Sequence, residues 1–319
     1  MKRILCFILL AVLVCSLAAC GEPVVEPTET IAPNETLPPT EATENAPTES
    51  EGALDLKAFI ETFDTAPAIG ESVVYIDQGV TVTAKSLAYD PINGPVLTFT
   101  VQNSGENAVT VQSDLGSVNG YMLDAPFTAE CPAGKSVEGR MELSYRSLAL
   151  AEISVIGRVE FILRVMDSKS FDQLAESDPI TLTTSADQSD VTAADDSGQT
   201  AYDSGGVKIV LKGIDERRMY ADGAALIVYT ENGTDRNISV QTGEIKVNGY
   251  DFTSAMTAVI LPGKKAVDIV TFFDMDMQEY GVSEIDSVEL SFKIIDEETW
   301  KPVAETKMIE VKIDKDEEE

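Results

Sequence analysis

The sequence contains no histidine, and this absence excludes several kinds of site at once. A Ser/His/Asp or Cys/His nucleophilic site, a His-ligated zinc ion and a His proton shuttle all need an imidazole ring. Basic residues are also scarce: 23 Lys and Arg stand against 55 Asp and Glu in 319 residues, a net charge of −32. Nucleic-acid binding is excluded as well, because phosphate recognition needs a Lys/Arg surface.

An apolar run from Ile4 to Val14 follows the basic residues Lys2 and Arg3 near the N-terminus. A basic start, a short apolar segment and small residues before a cleavage point are typical of a signal peptide. The run is too short to span a membrane. We therefore predict a signal peptide over residues 1–19.

The segment Leu17-Ala18-Ala19-Cys20 closes this signal and resembles the lipobox of bacterial lipoproteins. The resemblance implies cleavage before Cys20 and a covalent diacylglycerol lipid on its thiol, with no other cofactor. Two acyl chains hold a protein at a bilayer because each buried CH₂ contributes about 0.8 kcal/mol. We expect the mature protein to be lipid-anchored at the extracellular face of the cell membrane.

The next stretch is rich in proline, threonine and glutamate. After Cys20, residues 21–52 contain six Pro, six Thr, eight Glu and no basic residue. Such a composition leaves too few apolar side chains for a core, and like charges with proline extend the chain. We predict that residues 20–52, with the lipid at their start, form a disordered stalk.

A short helix is predicted to follow over residues 53–71. Its apolar residues recur at i, i+3, i+4 and i+7, which places them on one face of a helix: Leu56, Phe59, Ile60 and Phe63. Packing of this stripe against the neighbouring domain is the favoured interpretation, and contact with a partner is the alternative.

The rest of the chain carries an internal duplication. When the sequence is shifted by 129 residues, 12 of the 39 positions from 97 to 135 are identical, where chance gives about two or three. Upstream, the match continues at an offset of 127. We predict two copies of one module, 72–184 and 201–313, joined by an acidic linker over 185–200 and followed by an acidic tail over 314–319.

Within each copy the apolar pattern mainly has a period of two, which is typical of β-strands. Seven or eight short strands and no long helical period predict an all-β fold of two tandem immunoglobulin-like antiparallel β-sandwiches. The strongest runs are 96–101, 109–112, 159–165 and 180–183 in the first copy and 225–230, 238–241, 288–294 and 308–313 in the second.

A Val-Asn-Gly-Tyr segment recurs in both copies and predicts a two-residue hairpin, because both central residues of a type I′ turn need positive φ. We interpret the tyrosines as anchors at a sheet edge and the nearby Gly-Lys pairs, Gly134-Lys135 and Gly263-Lys264, as solvated loops. The turn residues are Asn119, Gly120 and Tyr121 in the first copy and Asn248, Gly249 and Tyr250 in the second.

Together, the Val-Asn-Gly-Tyr turn, the Gly-Lys loop and a late Val-Glu strand ending in Asp resemble the tandem immunoglobulin-like domains of uncharacterised lipoproteins from Gram-positive Firmicutes. The resemblance covers Ser72 to Thr184 and Ala201 to Ile313. It implies a surface-exposed β-sandwich lipoprotein without an assigned activity.

Two further kinds of site were considered from the sequence. Cys131 aligns with Ile260, so its position favours an apolar group and an inert buried thiol. Calcium is the plausible metal for an acidic chain without histidine, and the best local cluster is Asp274, Asp276 and Glu279. In the first copy, Asp274 and Asp276 align with Tyr145 and Ser147. We therefore predict no metal site.

These features favour a non-catalytic binding or scaffolding module at the bacterial envelope, with another envelope protein or a glycan as partner. The alternative is a carboxylate-dependent, glycosidase-like surface hydrolase, because two acids suffice for that chemistry. The sequence makes no prediction about ligand identity or oligomeric state.

Overall fold

The computed structural model describes residues 51–92, 94–113, 116–187, 191, 195–217, 219, 221 and 223–313, which belong to one compact unit. The predicted signal peptide, Cys20, most of the stalk and the acidic tail lie outside the described residues. Regular structure in the described part is mostly β-strand, with three short helices. The all-β prediction is confirmed.

We call residues 51–187 the first half. It contains helices α1 (Glu51–Thr62) and α2 (Tyr145–Leu150) and twelve strands. The strands are β1 (Ser72–Asp77), β2 (Val80–Asp90), β3 (Gly94–Asn103), β4 (Val109–Ser113), β5 (Gly116–Val118), β6 (Tyr121–Leu123), β7 (Phe127–Cys131), β8 (Lys135–Glu142), β9 (Arg158–Phe161), β10 (Arg164–Asp167), β11 (Gln173–Glu176) and β12 (Ile180–Thr183).

We call residues 195–313 the second half. It contains helix α3 (Asp274–Glu279) and ten strands in its described part. The strands are β13 (Gln199–Ser204), β14 (Val207–Asp215), β15 (Ala224–Asn232), β16 (Ile238–Val247), β17 (Tyr250–Asp251), β18 (Thr257–Ile260), β19 (Lys265–Phe272), β20 (Val288–Asp296), β21 (Lys301–Glu305) and β22 (Ile309–Glu310).

The strands form four sheets. Two four-stranded sheets belong to the first half, in the orders β1-β2-β3-β8 and β11-β10-β4-β7. A six-stranded sheet belongs to the second half, with the path β17-β16-β20-β21 and with β18 and β22 paired to β16 and β20. The fourth sheet is shared by both halves and has eight strands in the order β12-β9-β5-β6-β19-β15-β14-β13.

Alternation of side chains explains the strands. In β7, Phe127, Ala129 and Cys131 are buried while the two residues between them are exposed. In β3, Phe99 and Val101 point into the core and the threonines beside them are only partly buried. Burying one face of each strand removes apolar surface from water, at about 25 cal/mol per Å².

The apolar stripe of α1 packs against the core of the first half. Phe63 is buried just beyond the helix, and Leu56, Phe59 and Ile60 are partly buried against the same core. The rings of Phe63 and Tyr145 meet edge to face with centroids 5.2 Å apart. The helix therefore covers one end of the first half, starting two residues before the predicted boundary and ending at Thr62.

The same side-chain hydrogen bonds recur 129 residues apart. The Asn103 Nδ2 group donates to the carbonyl oxygens of Asn107 and Cys131, at 2.8 and 3.0 Å. The Asn232 Nδ2 group donates to those of Arg236 and Ile260, both at 2.8 Å. Helices α2 and α3 are also 129 residues apart.

The junction between the halves is a pair of parallel strands, β6 and β19. Lys265 pairs with Tyr121 and Ala266 pairs with Met122. The Lys265 amide donates to the Gly120 carbonyl oxygen at 3.0 Å. Because these strands complete the eight-stranded sheet, the two halves share backbone hydrogen bonds as well as side-chain contacts.

The hydrophobic cores also cross this junction. Val210, Tyr229 and Val267 from the second half belong to the core of the first half. Met122 from the first half belongs to the core of the second half. Separation of the halves would expose these side chains to water, so apolar burial stabilises their arrangement.

The predicted acidic linker is held in place over its described C-terminal part. The Lys208 ammonium lies 2.8 Å from an Asp196 carboxylate oxygen, and the Lys212 ammonium donates to the Asp195 carbonyl oxygen. Regular structure resumes at Gln199, two residues before the predicted start of the second copy.

Candidate functional site

The two Asn-Gly turns have closely similar geometry. Asn119 and Gly120 have φ values of 52° and 90°, and Asn248 and Gly249 have 49° and 82°. Asn119 and Asn248 each accept two backbone hydrogen bonds on Oδ1, from Gly157 and Arg158 in one case and from Asp286 and Ser287 in the other. These turns fix a neighbouring loop in each half, so their role is structural.

The tyrosines after these turns lie in different surroundings. Tyr121 is buried at the junction, with the Lys265 ammonium 5.7 Å from the centre of its ring. Tyr250 is exposed, and its ring stacks on Tyr280 with centroids 5.1 Å apart. The interpretation of both as edge anchors therefore fits Tyr250 better than Tyr121, because β19 covers the edge beside Tyr121.

The interpretation of Lys264 as part of a solvated loop is wrong. Its ammonium contacts the Glu160 carboxylate across the junction, and both side chains are largely buried. Burial alone would raise the pKa of Glu160, but the hydrogen bond and charge of Lys264 hold it below its ordinary value. Lys135, at the equivalent position of the first half, is exposed.

The acidic residues singled out from the sequence do not make a metal site. Asp274, Asp276 and Glu279 lie on the short helix α3. In the described part of the chain, no three Cys, Asp or Glu side chains come together as a metal ion would require.

Cys131 is a buried free thiol. Its Sγ atom lies 3.4 Å from the Val101 carbonyl oxygen and 3.3 Å from that of Lys135. Burial raises the pKa of this thiol, so the reactive thiolate is disfavoured. Cys20, the predicted lipidation site, lies outside the described residues.

Two exposed aromatic side chains stand at equivalent hairpin turns. Phe171 follows β10 and is 64% exposed, and Trp300 follows β20 and is 68% exposed. Each amide donates to the carbonyl oxygen of an aspartate four residues earlier, Asp167 at 2.9 Å and Asp296 at 2.8 Å. We call Phe171 and Trp300 the aromatic tips.

The aspartates build these turns with their side chains. Asp167 Oδ1 accepts hydrogen bonds from the amides of Lys169 and Ser170, and Asp296 Oδ1 accepts one from the amide of Thr299. These amide hydrogen bonds lower the pKa values of both carboxyl groups. The turns are therefore held open by charge-assisted hydrogen bonds at neutral pH.

The backbone at the aromatic tips is strained. Phe171 has a φ of 60° and Trp300 a φ of 56°. This left-handed conformation costs an L-residue about 1–2 kcal/mol, and such turns ordinarily carry Gly or Asn. Two bulky rings are kept there although they gain little from burial, which is typical of residues retained for binding.

A half-buried carboxyl group lies in β19, in the strand that forms the junction. Burial and the nearby negative charge of Asp124 raise the pKa of Asp268 to about 6. A perturbed acid with a second acid nearby can mark a catalytic pair. Three surface cavities are described, and neither Asp124 nor Asp268 lines any of them.

No helix in the described part of the chain combines the length and the apolar character that crossing a membrane requires.

No family model matches the chain, and no curated protein sequence matches it. Among solved structures, the YadV chaperone is 12% identical, with 68% of this chain and 92% of that chain covered and a TM-score of 0.23. A DUF4785 family protein from Legionella pneumophila is 15% identical, with 72% and 55% covered and a TM-score of 0.22. Scores this low carry no argument about function.

The aromatic tips and Asp268 were not identified as sites from the sequence. The duplication aligned Phe171 with Trp300, but alignment alone did not reveal their exposure or positive φ. A usable signal was the spacing, since each aromatic follows an aspartate by four residues, just after a Ser or Thr.

We expect glycine to be better tolerated than alanine at the aromatic tips. Trp300→Gly should be more stable than Trp300→Ala by about 1 kcal/mol, because glycine adopts positive φ without strain. Urea denaturation of both variants measures the difference. At Val303, an exposed position on the regular strand β21, the order should reverse, with glycine about 0.5–1 kcal/mol less stable. Equal stability of the two Trp300 variants would contradict the assigned strain.

The raised pKa of Asp268 predicts a pH-dependent stability. Between the ordinary value of 3.8 and about 6, the folded state holds a proton that the unfolded state has lost, so stability falls as pH rises. Asp268→Asn removes this penalty and should raise the free energy of unfolding by about 1–2 kcal/mol at pH 7.5, after allowance for partial exposure.

That gain should shrink as the pH is lowered from 7.5 to 5, as measured by urea denaturation. The exposed Asp172→Asn serves as the control and should show a small, flat difference over the same range. A stability gain at position 268 that does not change with pH would show that charge is not its cause.

Proposed function

We propose that the protein is a non-catalytic binding module held at the extracellular face of the bacterial cell membrane by a diacylglycerol lipid on Cys20. Residues 1–19 act as its signal peptide, and residues 20–52 hold the folded part away from the bilayer. The net charge of −32 supports this arrangement, because an anionic leaflet repels so acidic a protein and only the lipid draws it in.

The folded part is proposed to be two copies of one immunoglobulin-like sandwich. The recurring Asn103 and Asn232 hydrogen bonds support this proposal, as do the helices 129 residues apart. The family proposed is that of the Gram-positive surface lipoproteins that the sequence resembles. In this family the module provides a scaffold, so any activity depends on what the loops and edges present.

The aromatic tips are the observation that carries the binding function. Each copy presents one exposed ring at the same hairpin turn, at a cost in backbone strain. A sugar ring packs its C–H face on the electron-rich face of an aromatic ring, and such contacts need no charge. The acidic surface disfavours polyanions, so we propose a neutral glycan as the ligand.

A carboxylate-dependent surface hydrolase is the second candidate, and Asp268 is the observation that favours it. Its raised pKa suits a general acid, and Asp124 would supply the second carboxylate. The binding module is preferred, because the strained, exposed rings occur in both halves, whereas Asp124 and Asp268 align with Thr253 and Gly139.

The lipid anchor gives the first prediction about function. Cys20→Ser removes the acceptor thiol, so the protein should move from the membrane fraction to the soluble fraction. Immunoblots of fractionated cells measure this change, and intact mass measures the loss of the lipid. Cys131→Ser, at the buried thiol, is the control and should stay with the membrane. Wild-type protein without lipid would contradict the proposed localisation.

Removal of the aromatic tips should abolish glycan binding. The double variant Phe171→Ala/Trp300→Ala is expected to lose at least about tenfold in affinity on an array of neutral oligosaccharides, because two hot-spot rings are removed. The full-length protein in detergent is the sample. Phe273→Ala, which removes an exposed ring elsewhere in the second half, should bind as the wild type does.

Two outcomes would contradict this proposal. One is unchanged binding by the double variant. The other is turnover in a hydrolase panel that Asp268→Asn abolishes, since that result would support the second candidate.

A further inference from the structure

A groove of about 630 Å³ lies between two edge strands of the first half, β1 and β12. Its walls are formed by residues 72–77 on one side and 176–182 on the other. An edge strand presents unpaired backbone N–H and C=O groups, which can accept an added strand. The groove is therefore bordered by strand edges on both sides.

The two edges are tied together at one end and open beyond it. The Ser185 amide donates to the Ala68 carbonyl oxygen at 2.8 Å, and the Ala68 amide donates to Ser185 Oγ at 3.0 Å. These contacts lie just before β1 and just after β12. They fix the spacing of the strands, so the opening is a built feature of the fold.

In the second half, a glutamine bridges the corresponding gap. The Gln199 side chain donates to the Glu310 carbonyl oxygen at 2.7 Å and accepts from the Lys312 amide at 2.8 Å. At the offset of 127, Gln199 corresponds to Ser72, whose side chain is too short for such a bridge. The first half thus keeps open what the second half closes.

The open groove has exposed apolar side chains on its β1 wall. Val73 is 54% exposed and Ile76 is 73% exposed. Tyr75, between them, is buried, and its hydroxyl has no hydrogen-bond partner among the described residues. A buried hydroxyl left unpaired costs about 1–3 kcal/mol, which a carbonyl group of a bound strand would recover.

The charged residues that line the groove are all acidic: Asp77, Glu176 and Asp178. This charge favours a cationic occupant. It disfavours the chain's own segment 21–52, which has eight Glu and no basic residue, and it disfavours a second copy with a net charge of −32.

We infer that the groove between β1 and β12 takes up an extended, cationic peptide segment of another protein as an added β-strand. Backbone hydrogen bonds to the open edges provide the pairing, Val73 and Ile76 contact alternate apolar side chains, and the three acids attract Lys or Arg. The site is separate from the aromatic tips and does not depend on glycan binding.

Fluorescence anisotropy with the full-length protein in detergent tests this inference. The probe is a labelled peptide that alternates Lys, Val and Thr, Lys-Val-Thr-Val-Lys-Val-Thr-Val-Lys, and it should bind saturably with one site per chain. An otherwise identical peptide with alternate amides N-methylated keeps the charge but loses backbone donors. It should bind at least about tenfold more weakly, as should a peptide with Glu in place of Lys.

Three variants locate the binding site. Asp77→Asn/Asp178→Asn removes two lining charges and should weaken binding about tenfold, with a smaller dependence on salt. Ser72→Gln introduces the bridging side chain of the second half and should also weaken binding. Asp203→Asn makes the same charge change on β13, the matching edge of the second half, and should bind as the wild type does. Phe171→Ala/Trp300→Ala should also leave peptide binding unchanged.

Each contrary result would overturn the inference. Equal binding of the N-methylated peptide would show that no strand is added. Equal losses in Asp203→Asn and Asp77→Asn/Asp178→Asn would indicate general charge attraction. Dimerisation of the free protein in sedimentation velocity, blocked by Ser72→Gln, would identify a second copy as the occupant. A glycan array without any hit would contradict the function proposed for the aromatic tips and leave this peptide result unaffected.

Discussion

Parallel pairing of β6 with β19 is the contact on which the arrangement of the described chain depends. It joins strands from both halves into one eight-stranded sheet and brings Lys264 to Glu160. A surface ion pair contributes little, but this one is largely shielded from water and lies beside shared backbone hydrogen bonds. The two halves therefore act as one body, and their loops keep a fixed separation.

The junction also explains why the halves differ in sequence on one face. Tyr229 and Val267 are buried against the first half, while the aligned positions of the first half carry Thr100 and Glu138 on a face open to water. Similarly, Ile227 aligns with Thr98. Since one copy buries this face and the other leaves it in solvent, apolar residues are retained only where they are covered.

Local patterns in the sequence predicted the β class and many strands. The run 180–183 forms β12, whereas the run 159–165 is divided between β9 and β10. Patterns could not predict what depends on the junction. Nothing near Lys264 indicates its pairing with Glu160, and Asp124, which raises the pKa of Asp268, is 144 residues away in the chain. The open groove depends on Ser72 being shorter than Gln199, a difference whose meaning appears only in three dimensions.

The unequal faces give the molecule a direction of growth. A further module appended after the second half would meet the free hairpin edge at Tyr250 and could repeat the existing joint, provided that its own outer face were apolar. A module inserted ahead of the first half would instead have to cover Thr100 and Glu138, and burial of that unpaired carboxylate is costly. The order of the two halves is therefore fixed by solvation, and exchanging them would leave Tyr229 facing water.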